Sequence, residues 1–155
     1  MSRIAPPAAD GARPPAKMLL EELRFANGIA IDETRNQLYF AETMGDRVIA
    51  HRVSLQTGVL SDRRVIASLV APDNVELDAE GRLWIASPIL SALFVVDPDT
   101  GDMRTHFHES TPESEAIVAE WSRRAAFGEG LLELFTPAIW GRLPGASTGV
   151  ILTPG

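Results

Sequence analysis

Residues 25–58 read FANGIAIDETRNQLYFAETMGDRVIAHRVSLQTG, and residues 71–101 read APDNVELDAEGRLWIASPILSALFVVDPDTG. The two stretches carry one pattern. Asn27 falls opposite Asp73, Ile29 opposite Val75, Ile31 opposite Leu77 and Asp32 opposite Asp78. Further on, Tyr39 matches Trp84, Ala41 matches Ala86, Val48 matches Leu93, and each copy closes on Thr-Gly, at Thr57-Gly58 and Thr100-Gly101. A repeat of roughly 40–50 residues made of short strands is the signature of propeller blades. Within the copies, β-rich runs at 28–31, 37–42, 47–53 and 63–69, then at 74–77, 82–87, 92–97 and 103–107, are separated by turn residues such as Asp32-Glu33-Thr34 and Ala79-Glu80-Gly81. The spacing predicts four antiparallel strands per copy. The near-continuous apolar third strands, Val48-Ile49-Ala50 and Leu93-Phe94-Val95-Val96, suit sheets covered on both faces.

Outward from the two copies the pattern is partial. Ser147-Thr148-Gly149-Val150-Ile151-Leu152-Thr153 repeats the opening, with Thr148 level with Asn27 and Asp73. At the front, Arg3-Ile4-Ala5-Pro6 and Ala16-Lys17-Met18-Leu19-Leu20 read as outer strands of a preceding blade. Between copy two and the third opening, Thr111 is a helix cap, Pro112 a first-turn residue and Gly128 a stop. Ile117, Val118, Trp121 and Ala125 form one helical face; Leu131, Leu132 and Phe135 predict a second short helix ended by Pro137. The expected organisation is therefore a partial blade over 1–24, blades over 25–70 and 71–110, a helical insert over 111–140, and the start of a further blade over 141–155. Two blades and two part-blades cannot close a ring, so the reading expects a truncated product, a fragment, or self-association through the unpaired blades. The insert reads either as a packing helix over a sheet edge or as a lid over the channel mouth.

Composition narrows the function classes. The chain has 155 residues, enough for one real core, and a net charge of −7, which argues against nucleic acid as the main partner. No apolar run approaches the roughly 20 residues of a membrane span. Residues 1–17 hold three basic residues, four prolines and no apolar h-region, so no signal peptide is read there; the compartment stays open, with the cytoplasm favoured. The absence of cysteine removes disulfides, thiolate metal sites and a cysteine nucleophile. There is no Gly-rich phosphate loop, Gly-x-Ser-x-Gly elbow or zinc motif.

The run Phe-Ala-Asn-Gly-Ile-Ala (25–30) with Leu-Tyr-Phe-Ala-Glu-Thr (38–43) and Arg47-Val48 resembles a blade of strictosidine synthase-like and paraoxonase-like proteins. Pro-Asp-Asn-Val (72–75) with Asp-Ala-Glu-Gly-Arg-Leu-Trp-Ile-Ala (78–86) resembles the next blade, and regucalcin and gluconolactonase are similar in the same places. The resemblance covers roughly residues 1–110 and resumes near 140–155. It implies an all-β fold, a partial six-bladed β-propeller with a helical insert. It also implies a divalent cation in the central channel, Ca2+ with Mg2+ or another cation as substitutes. Carried over by position, Asn27, Asp73 and Asn74 would be metal ligands, and Asp73 also the catalytic general base. The substrate class implied is a small lactone or ester.

The residues alone are consistent with this, since amide and carboxylate oxygens suit a hard cation. Asn-Gly and Pro-Asp-Asn are equally turn chemistry. The family's early acidic ligand, an asparagine from the blade before Asn27 and the paraoxonase-type histidine dyad have no counterpart here. Ser147-Thr148-Gly149 stands where strictosidine synthases place a catalytic glutamate. A non-enzymatic NHL-like binding scaffold, or an inactive chain, are the alternatives. Among other candidates, His106 and His108 read as a surface pair, His51 as an isolated strand residue and Glu42 as a solvated turn charge. Tyr39 and Trp84 read as core between sheets, and Arg123-Arg124 as a solvated helix face.

Overall fold

Alternation of apolar and polar residues makes a sheet of each copy, and the turns between runs set its order. A computed structural model describes residues 1–3, 9, 11–12 and 14–153. A short antiparallel pair comes first, β1 (Ser2–Arg3) with β2 (Lys17–Met18). The first copy then forms β3 (Ala26–Asp32), β4 (Gln37–Glu42), β5 (Arg47–Val53) and β6 (Leu60–Ser68). The second forms β7 (Val75–Leu77), β8 (Leu83–Ser87), β9 (Ala92–Val96) and β10 (Met103–His108). Each sheet is antiparallel with its strands in sequence order, the meander of a propeller blade.

Left-handed backbone recurs at the same four places in both blades. Phe25 and Ala71 (φ 59° and 44°) precede the inner strands, Asn36 and Gly81 (φ 54° and 80°) lie in the first turn, Asp46 and Ser91 (φ 51° and 44°) in the second, and Gly58 and Gly101 (φ 72° and 80°) in the third. Phe, Ala and Ser gain nothing from this region, so their strain is a requirement of the turn geometry that packing must offset. Each first turn is also held by its aspartate: Asp32 Oδ1 accepts from the Thr34 and Arg35 amides, and Asp78 Oδ1 from those of Glu80 and Arg82. Arg35 and Arg82 pair with the same carboxylates. Desolvation pushes the Asp32 pKa up, but its hydrogen bonds and Arg35 outweigh that and hold it at about 2.

The blades pack face to face. Ala30, Tyr39, Ala41, Val48 and Ala50 from the first meet Val75, Leu77, Leu83, Ile85 and Val96 from the second. Tyr39 is thus core between sheets, as expected. Trp84, its counterpart, lies on the far face of the second blade, half-buried, with Nε1 donating to Asp78 Oδ2 at 2.8 Å. At the inner edge the Gly28 amide donates to the Asp73 carbonyl at 3.0 Å. One blade further on, the Asn74 amide donates to the Thr148 carbonyl at 3.2 Å. Gly28 and Asn74 occupy equivalent places, as do Asp73 and Thr148, so residues 147–153 lie where a third inner strand belongs. The strand expected there is not formed, because among the described residues no second strand pairs with it. Ile4, Ala5 and Pro6 of the expected front strand lie outside the described residues.

The insert is helix α1 (Pro112–Phe127) followed by two 3-10 turns, Leu132–Leu134 and Pro137–Trp140. Thr111 and Ser114 cap it reciprocally, and Gly128 ends it at φ 67°. Pro137, expected only as a stop, opens the second 3-10 turn. Trp121 is fully buried and packs with Ala71, Ile89, Leu131, Leu134 and Ile139. The insert therefore sits at the end of the blades where β7 begins. Among the described residues, no helix is long and apolar enough to cross a membrane.

The close approach of inner strands leaves no room for a side chain at Gly28, where a Cβ would fall 2.5 Å from Asn74 Cα. Gly28→Ala should lower stability by about 1–3 kcal/mol in urea unfolding. Gly130→Ala, which meets nothing within 4 Å, should stay within about 0.5 kcal/mol of the parent.

Candidate functional site

The inner strands converge at their leading ends, and the three expected ligands all lie there. Asn27 is the second residue of β3; Asp73 and Asn74 immediately precede β7. The Asp73 amide donates to the Ala86 carbonyl at 2.8 Å and Ala86 returns a bond to the Asn74 carbonyl at 3.1 Å. Both residues are thereby locked onto β8, while the Gly28–Asp73 bond sets Asn27 beside them.

Their side chains differ in kind. Asp73 is 9% exposed, and burial alone pushes its carboxyl pKa up, with no hydrogen bond or cation among the described residues opposing it. Asn27 is exposed and donates from Nδ2 to Thr43 Oγ1 at 3.4 Å, while that hydroxyl donates to the Pro72 carbonyl at 2.7 Å. Asn74, also exposed, donates from Nδ2 to the Thr148 carbonyl at 2.8 Å. Each amide gives one N–H bond to the protein, and among the described residues neither Oδ1 has a protein donor. One carboxylate and two amide oxygens suit calcium or magnesium. Among the described residues no three His, Cys, Asp or Glu side chains converge, so a cation here would draw on amide oxygens as well. These three residues supply half or less of the six to eight oxygens calcium takes. The open groove alongside is lined by Asn27, Gly28, Asn74, Glu76, Thr148 and Gly149.

Several residues of this region escape a reading of the sequence alone. Thr43 is buried and bridges Asn27 to the residue before Asp73. Asp46 ties three elements together: its carbonyl accepts from Leu69 at 3.1 Å, and its Oδ1 accepts from the Ala71 amide at 2.8 Å and from Trp121 Nε1 at 3.0 Å. The insert is thus latched to the loop that carries Asp73. Glu76, two residues beyond Asn74 on the same side of the strand, was legible from period-2 spacing.

Other expectations change. Glu42 is not a solvated turn charge: it is 1% exposed, ion-paired to Arg47, and accepts from the Arg24 amide at 3.0 Å. Register puts Arg47 directly across from it. His51 is buried and stacked on Phe40. Burial holds its pKa below the usual histidine value. His106 and His108 are exposed, as the surface reading expects, the former against the edge of Trp84. Arg123 lies on a solvated helix face, as expected, and both Arg123 and Arg124 pair with Glu120.

Residues 8–117 match the family described as the SMP-30/gluconolactonase/LRE-like region. The chain belongs to that family. It is 30% identical over 89 residues to regucalcin of Oryctolagus cuniculus, covering 55% of this chain and 30% of regucalcin. With regucalcin of Xenopus laevis it shares 31% over 80 residues, 49% of this chain and 27% of the relative. A gluconolactonase structure from Xanthomonas campestris superposes with a TM-score of 0.53 at 30% identity, covering 68% of this chain and 33% of that one. A luciferin-regenerating enzyme shares the fold, with a TM-score of 0.54 at 21% identity over 59% of this chain and 33% of that one. The matched part of this chain thus spans about a third of the length of these family members.

A buried carboxylate with a raised pKa opposes folding once ionised. Its cost is absent below the unfolded value of 3.8, grows as pH rises toward the raised folded pKa, and is complete above it. In chelator, Asp73→Asn should therefore melt higher than the parent at pH 7, and the difference should shrink as pH falls toward 3.8. Melts that differ equally at all pH values would show that Asp73 is not ionised at a cost.

Proposed function

We propose that this chain carries part of a cation-centred hydrolase site of the lactonase or esterase type. The observation that carries this reading is Asp73: a nearly buried carboxylate that has no partner among the described residues, at the meeting point of two inner strands, near two amides whose oxygens have no donor among those residues. A protein keeps such a carboxylate at a cost in stability, which a bound cation would offset. Asn27, Asp73 and Asn74 would hold the cation, Ca2+ first and Mg2+ as a substitute. When bound, the cation would supply charge stabilisation for a carbonyl oxygen developing negative charge.

The chain's own residues have distinct parts. Asp73, with its pKa raised by burial, is suited to accept a proton from water at its carboxylate. Thr43 would keep the Asn27 amide turned so that its oxygen is presented, because it takes the N–H side. The groove past Asn74 and Glu76 would receive a small neutral substrate. Family membership supports this class, and the gluconolactonase relative names a lactone as that protein's substrate.

Thermal unfolding with calcium and with chelator tests the reading. Calcium at about 100 times its dissociation constant should add roughly 2.7 kcal/mol to the parent. Asp73→Ala should lose that increment, and any lactone turnover followed by pH-stat should fall at least about 100-fold with it. A calcium increment or turnover that survives in Asp73→Ala would overturn the assignment.

A further inference from the structure

We infer that Asn27 is a site of self-modification by deamidation, guarded by the contact between the two inner strands. When the strands part, the Gly28 amide nitrogen attacks the Asn27 side chain and ammonia leaves. Asn27 and Gly28 do not lie in a turn, the role an Asn-Gly pair commonly fills, but in a bulge of β3, where pairing with β4 shifts between Ala26 and Ile29. The Gly28 amide donates across to the second blade, to the Asp73 carbonyl at 3.0 Å. Gly28 is buried, while the Asn27 side chain is exposed. The close approach of the blades also dictates the reactive pair. A Cβ at position 28 would fall 2.5 Å from Asn74 Cα, so packing demands glycine there. Glycine is also the following residue that hinders ring closure least, having no side chain beside its nitrogen. The other asparagines of the chain, Asn36 and Asn74, are followed by Gln37 and Val75, whose side chains crowd that nitrogen.

The chemistry needs only water. The Gly28 nitrogen gives its proton to solvent base and bonds to Asn27 Cγ. The Cγ–Nδ2 bond then breaks, and the side-chain nitrogen takes a proton from water and leaves as ammonia. Water opens the resulting cyclic imide. Addition at Cγ gives aspartate. Addition at the main-chain carbonyl carbon of residue 27 gives isoaspartate, which lengthens the main chain by a methylene. Nothing is oxidised or reduced. While the blades are joined, the attacking nitrogen is buried and its N–H is committed to Asp73, so the first step is blocked. Local opening of the blade contact frees it. Either product replaces a neutral amide by a carboxylate next to Gly28. Isoaspartate also displaces Gly28 along the strand, so a blade pair modified in this way cannot re-form the Gly28–Asp73 contact as it was.

The inference stands apart from the cation reading, so its test is run in chelator. Peptide mapping by mass spectrometry follows each asparagine at mildly alkaline pH, in native buffer and in urea. In urea Asn27 should convert while Asn36 and Asn74 stay intact. In native buffer the conversion of Asn27 should be at least about tenfold slower. Ile85→Ala, which thins the apolar contact between the blades, should speed the native conversion at least about threefold with an unchanged circular dichroism spectrum. Ile85→Val makes the same comparison should the larger cut not fold. An Asn27 that converts as fast in native buffer as in urea would overturn the inference, and so would one that stays intact in urea. A native rate that a folded Ile85 variant leaves unchanged would overturn it as well.

Discussion

Everything at the candidate site depends on how closely two inner strands approach. The Gly28 amide reaches the Asp73 carbonyl directly, and nothing larger than hydrogen fits between Gly28 and the backbone of residues 73–75. That contact holds the two blades together at their inner edge and sets the backbone of Asn27 beside that of Asp73 and Asn74. The apolar faces behind it, Tyr39 and Ala41 against Val75 and Ile85, supply the bulk of the burial energy. The hydrogen bond supplies the register. A strand shifted by one residue would turn its apolar side chains out of the interface.

The site itself reverses the ordinary economy of a fold. Other acids of the blades are given partners: Asp32 has Arg35, Asp78 has Arg82 and the Trp84 indole, and Glu42 has Arg47. Asp73 is more buried than Asp78 and has none among the described residues. Among the buried carboxylates of the two blades, Asp73 is the exception. In the proposed reading, two neighbouring asparagines, each donating through its nitrogen, would add amide oxygens to that carboxylate.

Much of this was legible in the sequence because a repeat compares the chain with itself. Alternation and turn residues gave every strand of both blades to within three residues at either end, and equivalent positions singled out Asn27 and Asp73 where either alone would pass for a turn. The helix was bracketed by Thr111, Pro112 and Gly128, all signals of local backbone chemistry. What escaped was decided by contacts remote in sequence. Thr43 and Asp46 look like ordinary turn residues until the loop at 69–73 folds onto them. Glu42 looks solvated until register sets Arg47 opposite. Trp84 shares the pattern of Tyr39 but faces the other side of its blade pair, so equal sequence positions met unequal burial. The inner strand at 147–153 kept its place without forming, since placement needs only a neighbour's hydrogen bond whereas strand structure needs a paired ladder.

Asp46 gives the insert a standing that its sequence does not announce. One carboxylate, itself held at φ 51°, receives the Ala71 amide and the Trp121 indole at once. The helix is therefore not an appendage that could swing free on its two connections while the blades stay as they are. To lift it, the turn at 43–46 must surrender a buried donor, and the crossover into the second blade loses an anchor in the same event. The insert and the crossover thus form one cooperative unit, and sequence drift in either is constrained by the other although some 50 residues separate Trp121 from Ala71.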